Sequence, residues 1–264
     1  MEYLAKTLAN KGLFNTRDKY YRLPNGEEVL AETIVFSRPI FNPDEIGKDV
    51  DYGEKTNLPS KDKKSSQSLE NRIKALKRAR KRVYDLLSCN SDLDMFVTLT
   101  LDKEKISRTD WDKIVPKLNI WLDNMVRRRG LRYVLVPEFH KDGESIHFHG
   151  IMNRDALTLV NSGVKQKGKV VYNVTDWKYG FTTAKRITSN QGNAVAKYIT
   201  KYITKSVDDA ERGGGENKVG GKYYLHGGAL REPIFRYRET PYEEAQGFEV
   251  EVTEKLRCRV NSLY

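Results

Sequence analysis

Val134-Leu135-Val136-Pro137-Glu138-Phe139-His140, the turn-like Lys141-Asp142-Gly143-Glu144-Ser145, and Ile146-His147-Phe148-His149-Gly150-Ile151-Met152 decide how this chain is read. Two apolar runs flank a polar segment, which predicts an antiparallel hairpin over Leu131 to His140 and Ile146 to Asn153. Side chains alternate faces along a strand, so His147 and His149 point one way and Phe148 points into the core. Two imidazoles side by side on one sheet face are suited to gripping a metal ion. A hard divalent ion also wants oxygen, and Glu138 offers a carboxylate from the neighbouring strand. His140 shares a face with Glu138 by the period of two, so it is the rival third ligand or a supporting partner. Two solvated surface histidines would be the plainer reading of the pair. A closed zinc site is not expected, because no cysteine lies near.

About fifty residues downstream comes Tyr198-Ile199-Thr200-Lys201-Tyr202-Ile203-Thr204-Lys205, within a helix predicted over Gly192 to Lys205. Positions four apart share a helix face, so Tyr198 and Tyr202 project together, and Lys201 and Lys205 follow each by three. A phenol is a poor nucleophile at neutral pH because its pKa is about 10. A neighbouring ammonium and a metal-polarised phosphate ease its attack, and lysine can offset charge building on phosphate oxygens. In isolation such a helix would more simply pack its rings and expose its lysines; the upstream histidine pair changes that balance.

Bulk properties agree with a polyanionic partner. The chain has 264 residues and a formal net charge of +11, which favours nucleic acid over other partners. Ser68 to Leu87 reads as a helix capped by Ser68, with Leu69, Ile73, Leu76, Val83 and Leu87 at helical spacing. Arg72, Lys74, Lys77, Arg78, Arg80, Lys81 and Arg82 fill its other faces. Like charges this dense repel unless a polyanion offsets them, although a solvated face is the alternative. Arg127, Arg128 and Arg129 close a second helix, over Thr109 to Arg129, where the dipole favours cations. Its Trp111, Trp121 and neighbouring apolar residues read as core, and Pro116 is expected to kink it.

The remaining elements follow from pattern. Met95 to Leu101 and Phe181 to Ile187 read as strands, and residues 154–176 as a long connection with a short helix near 155–160 and a basic turn at 165–169. Residues 1–64 form an N-terminal arm with a hairpin around Pro24-Asn25-Gly26, followed by a polar linker over 43–64. Residues 65–235 form the main domain, with an edge strand over Lys222 to His226. Residues 236–264 form a tail whose Gly247 to Thr253 is expected to pair with the N-terminal hairpin. The order of elements predicts an α+β fold, with one central antiparallel sheet of about five strands, helices on one face and the other face free for a site. Cys89 and Cys258 are isolated, which fits a reducing cytoplasm. The start lacks a long apolar run, and no segment reaches the ~20 apolar residues of a membrane span, so neither a leader nor a membrane partner is expected.

Three ordered segments resemble the HUH endonucleases that initiate rolling-circle replication. Phe96-Val97-Thr98-Leu99-Thr100 resembles their first motif, His147-Phe148-His149 their histidine–hydrophobic–histidine motif, and Tyr198 to Lys205 their tyrosine motif in its two-tyrosine form. Glu138 with His140-Lys141-Asp142-Gly143 resembles the acidic ligand and turn that precede the pair. The likeness spans roughly Leu69 to Pro233 and is closest to replication-associated proteins of small bacterial single-stranded DNA phages and plasmids. It implies an RRM-like (ferredoxin-like) sheet and Mg²⁺ or Mn²⁺ held by Glu138, His147 and His149. It also implies a tyrosine that cuts single-stranded DNA at a replication origin, leaving a 5′-phosphotyrosyl link and a 3′-hydroxyl primer.

The same resemblance implies host replication proteins as partners and a bacterial host cytoplasm as the place of action. Catalysis would fall to Tyr198, Tyr202, Lys201 and Lys205, with Tyr198 acting first because it lies nearer the helix start. Phosphate contacts would fall to Arg72, Lys74, Lys77, Arg78, Lys81, Arg127, Arg128 and Arg129. The sequence contains no Gly-x-x-x-x-Gly-Lys-Ser/Thr loop, so no fused helicase is expected. Two alternatives stay open: a single-tyrosine transposase of the same superfamily, and a non-catalytic module that binds single strands through aromatics and basic residues.

Overall fold

A computed structural model describes residues 13–41, 64–139, 145–187, 196–203, 222–253 and 256–262. The chain divides into two units: Asp62–Glu232, and Met1–Lys61 together with Pro233–Tyr264. The N-terminal hairpin pairs β1 (Leu13–Arg22) with β2 (Glu28–Phe41). Its turn closes with Gly26 N–H donating to the Leu23 carbonyl, and Gly26 takes a φ of 85° that side chains disfavour.

Asp62–Glu232 is built on seven antiparallel strands. These are β3 (Met95–Thr100), β4 (Tyr133–Phe139), β5 (Ile146–Met152), β6 (Leu159–Gln166), β7 (Lys169–Val174), β8 (Thr182–Arg186) and β9 (Leu225–Gly227), in the order β6-β7-β8-β3-β5-β4-β9. The helices are α1 (Lys64–Cys89), α2 (Trp111–Arg129) and α3, which is described over 196–203. Ser68 lies inside α1 rather than capping it. Asp110 caps α2 by accepting from the Asp112 and Lys113 amides, and Gly130, at φ 64°, ends it. The helix runs through Pro116.

Alternation along β3 and β5 separates two apolar clusters. Met95, Val97, Leu99, Leu135, Ile146 and Phe148 pack with Ile114, Leu118, Trp121 and Leu122 of α2. Val134, Val136 and Ile151 pack with Leu76, Val83, Leu86 and Leu87 of α1 and with Ala196, Ile199, Tyr202 and Ile203 of α3. The expectation of about five strands, helices on one face and a free second face is therefore corrected: seven strands form this sheet and helices cover both faces. The physical reason is legible in β4, whose Val134-Leu135-Val136 is buried throughout. A continuous apolar run marks a strand covered on both sides.

Two further corrections concern connections. Residues 154–176 hold no helix over 155–160. A single 3₁₀ turn at Arg154–Ala156 leads into the hairpin of β6 and β7, whose tight turn places Lys167 at φ 50° and Gly168 at φ 76°. Such a turn prefers Asn-Gly or Asp-Gly, and Lys-Gly disguises it. In the smaller unit, β10 (Ile234–Arg238), β11 (Phe248–Thr253) and β12 (Leu256–Ser262) complete a five-stranded sheet, β10-β1-β2-β12-β11. It is β12, not β11, that pairs with the N-terminal hairpin, and β11 lies outside it. Among the described residues no helix is long and apolar enough to cross a membrane.

Phe148 has no exposed surface and sits in the α2-side cluster. Phe148→Ala should destabilise Asp62–Glu232 by about 3–5 kcal/mol through reduced burial and the cavity left behind. Denaturant unfolding of the variant checks this, and a destabilisation below about 1 kcal/mol would contradict the packing described.

Candidate metal centre and tyrosine pair

Pairing of β4 with β5 sets Glu138 opposite His147, and pairing of β3 with β5 sets Thr98 opposite His149. With Phe148 turned into the core, both imidazoles fall on the opposite face. Glu138 Oε2 lies 2.9 Å from Nε2 of His147 and 2.9 Å from Nε2 of His149. The three ligand atoms all lie within 4.8 Å of one another, so Glu138, His147 and His149 could hold a metal ion. His140 lies outside the described residues.

The donor set passes a chemical test for a divalent ion. One carboxylate oxygen and two imidazole nitrogens converge from adjacent strands, and three protein ligands leave positions for water or a phosphate oxygen. Burial holds His149 below the usual imidazole range, outweighing the Glu138 carboxylate beside it. The ring is then neutral near physiological pH, the state a ligand requires. Thr98 Oγ1 lies 3.1 Å from His149 Nδ1. In the tautomer that frees Nε2 for a cation, Nδ1–H donates to that hydroxyl and fixes the ring.

α3 brings the tyrosines over the same face. The Tyr202 ring stacks on His149, with centroids 4.2 Å apart and planes 14° apart. Its hydroxyl donates to the Tyr198 hydroxyl at 3.0 Å. Lys201 Nζ lies 3.7 Å from the Tyr198 ring centroid and 4.8 Å from that of Tyr202. Phe96 meets Tyr198 edge-on at 5.2 Å and lies nearly parallel to His149 at 5.8 Å. Lys205 lies outside the described residues, as does the start of α3 on which the dipole argument for Tyr198 rests.

The two phenols differ in environment. Tyr198 is 43% exposed and Tyr202 only 8%. Burial raises Tyr198, but the hydrogen bond from Tyr202 and the ammonium groups of Lys201 and Lys185 outweigh it and hold the phenol below its usual value. Burial, with the hydrogen bond it gives to Tyr198, pushes Tyr202 well above its usual value. The pair therefore has one accessible, more acidic oxygen and one buried donor.

The basic segments divide between faces. α1 packs on the sheet face that carries the histidines, and its Lys77, Arg78 and Lys81 are exposed. Lys74 pairs with Glu70 at 2.5 Å, Arg82 pairs with Glu232 at 2.5 Å, and Arg72 is partly buried. Arg127, Arg128 and Arg129 end α2, on the opposite face. There Arg127 meets Asp123 at 3.6 Å, and Arg129 meets Asp176 at 3.6 Å and Thr158 Oγ1 at 2.5 Å. The structure does not bring this second group to the histidine face.

Residues 94–207 match the family model of the replication-associated protein ORF2, a family of phage rolling-circle replication initiators. The matched segment runs from β3 through α3 and includes every residue of the cluster: Thr98, Glu138, His147, His149, Tyr198, Lys201 and Tyr202. No curated protein matches the chain, and no solved structure does. Spacing along the sequence does not single out Thr98 and Lys185 as site residues. Both alternate onto the histidine face, but the signal depends on the register of β3 with β5 and β8, which a single sequence does not reveal.

Thr98→Val removes the partner of His149 Nδ1 while keeping the shape of the side chain. Mn²⁺ binding, followed by the spin-resonance signal of the free ion, should weaken about 10- to 100-fold. Unchanged affinity would mean that Thr98 does not orient the ring.

Proposed function

We propose that the chain is a replication initiator that nicks single-stranded DNA at an origin, using Tyr198 as nucleophile and Glu138, His147 and His149 to hold Mg²⁺ or Mn²⁺. The observation that carries this reading is the phenol pair stacked on one imidazole of the carboxylate–imidazole–imidazole cluster. Its occurrence inside the segment matching a replication-associated family supports it. A divalent ion held there would neutralise charge on a phosphate oxygen while leaving positions open for the DNA.

The chain's own residues supply the rest. Tyr198 presents an exposed oxygen whose negative charge is stabilised by the Tyr202 hydroxyl and by Lys201 and Lys185. Attack of that oxygen on phosphorus forms a phosphotyrosyl bond and breaks the bond to the 3′ oxygen. Tyr198 gives up one proton and the departing 3′ oxygen gains one, so the products are a 5′-phosphotyrosyl strand and a free 3′-hydroxyl. The link conserves the bond energy, so rejoining by a 3′-hydroxyl needs no nucleotide cofactor. Tyr202 first acts as hydrogen-bond donor, and its hydroxyl, 3.0 Å from that of Tyr198, is placed to accept the strand in the second transfer. The 3′ end would be extended by host replication proteins in a bacterial cytoplasm. The exposed cations of α1 are the expected backbone contacts on this face.

Mixing the protein with Mn²⁺ and candidate-origin single strands should yield a covalent adduct, and mass spectrometry of the trapped peptide should place it on Tyr198. Tyr198→Phe should abolish the first adduct, whereas Tyr202→Phe should retain it with slower formation and poor resolution of replication products. An adduct on Tyr202 alone would reverse the assignment. Cleavage by the His147→Ala, His149→Ala double variant at the wild-type rate would remove the metal from the mechanism.

Replacing Lys77, Arg78 and Lys81 by glutamine should flatten the plot of log affinity for single strands against log salt by about 0.7 for each phosphate the variant no longer engages. An unchanged slope would show that this face of α1 is only solvated.

A further inference from the structure

The cross-strand register lines up the site in rows. Glu138 pairs with His147, and His147 pairs with Thr100. Beyond the last formal pair of β3 with β8, Leu99 with Thr182, the Thr100 amide donates to the Phe181 carbonyl at 2.9 Å and the Asp102 amide to the Tyr179 carbonyl at 2.9 Å. Phe181 therefore continues the row Glu138, His147, Thr100. The next rows carry Thr183 with Thr98 and His149, then Lys185 with Phe96.

Alternation fixes the face. Thr182 and Ala184 are buried on the α2 side, where Ala184 joins the core and Thr182 Oγ1 accepts from the Val174 amide. Phe181, Thr183 and Lys185 consequently line the histidine side. Phe181 is 71% exposed, so burial does not explain a phenyl ring there. Its place is nevertheless constrained: a Cβ on the preceding Gly180 would sit 2.0 Å from the Thr100 carbonyl oxygen, and only glycine permits so close an approach. The backbone thus holds an exposed aromatic ring in register with the metal-site row. Two strand spacings put it roughly 10 Å from His147.

We infer that Phe181 is a stacking platform for a base of the single strand, one or two nucleotides from the scissile phosphate. This rests on the nicking reading above. An exposed ring in line with the phosphate site, with Lys185 on the same face of β8, is the combination of aromatic platform and cationic track that single strands use. A protein partner would be served equally well by an apolar patch away from the row, but this ring lies in it.

Stacking tolerates any base, so the test needs no origin sequence. The full chain is titrated with a mixed-sequence single-stranded oligodeoxynucleotide carrying a fluorescent purine analogue, with and without Mn²⁺. Wild-type binding should quench the analogue. Phe181→Ala should bind about 5- to 100-fold more weakly, show much less quenching and keep the salt slope, because no charge is removed. Phe181→Trp should restore both. Wild-type affinity and quenching in Phe181→Ala would overturn this inference and leave the nicking reading intact. Failure of the wild-type chain to bind single strands would overturn both.

Discussion

Burial of Phe148 against α2 holds β5 in one register, and the site follows from it. A slip of one residue would turn both histidines into the core and Phe148 to the surface, so the apolar cluster selects the pairing that sets Glu138 opposite His147 and Thr98 opposite His149. Ligands on adjacent strands of a packed sheet are placed by backbone hydrogen bonds rather than by mobile loops, which favours a preorganised site. The same alternation carries Phe181, Thr183 and Lys185 to that face from β8.

Above the sheet, α3 couples the tyrosines to the cluster by packing. Ile199 and Ile203 enter the α1-side core, and this turns Tyr202 onto His149 and leaves Tyr198 at the surface. The asymmetry of the pair then has a simple electrostatic origin. The buried hydroxyl donates, the exposed one accepts, and the lysines stabilise negative charge on the acceptor. A doubled Tyr-Ile-Thr-Lys in sequence thus becomes two different chemical groups in space.

Much of the site is legible from period-two and period-four spacing: the histidine pair, the carboxylate across the hairpin and the shared face of the tyrosines. Spacing cannot supply registry between distant strands, so Thr98, Lys185 and Phe181 look like ordinary strand residues. The layering differs from the half-covered sheet expected of the element order, although the unbroken apolar run Val134-Leu135-Val136 already signals cover on both sides. The hairpin of β6 and β7 is hard to see because Lys167-Gly168 is a weak form of a tight-turn signal. In sequence, Tyr198 is distinguished only by its position near the helix start. The distinction that the structure offers is exposure and hydrogen-bond direction, neither of which a one-turn offset encodes.

The central claim is that one ion touches the histidines and a DNA phosphate together. Electron–nuclear double resonance on the chain loaded with Mn²⁺ reads both contacts in one sample. The account expects nitrogen couplings from His147 and His149 that vanish in the double alanine variant, joined by a phosphorus coupling when single-stranded DNA is added. Nitrogen couplings that survive the double variant, or DNA bound with no phosphorus coupling, would contradict it.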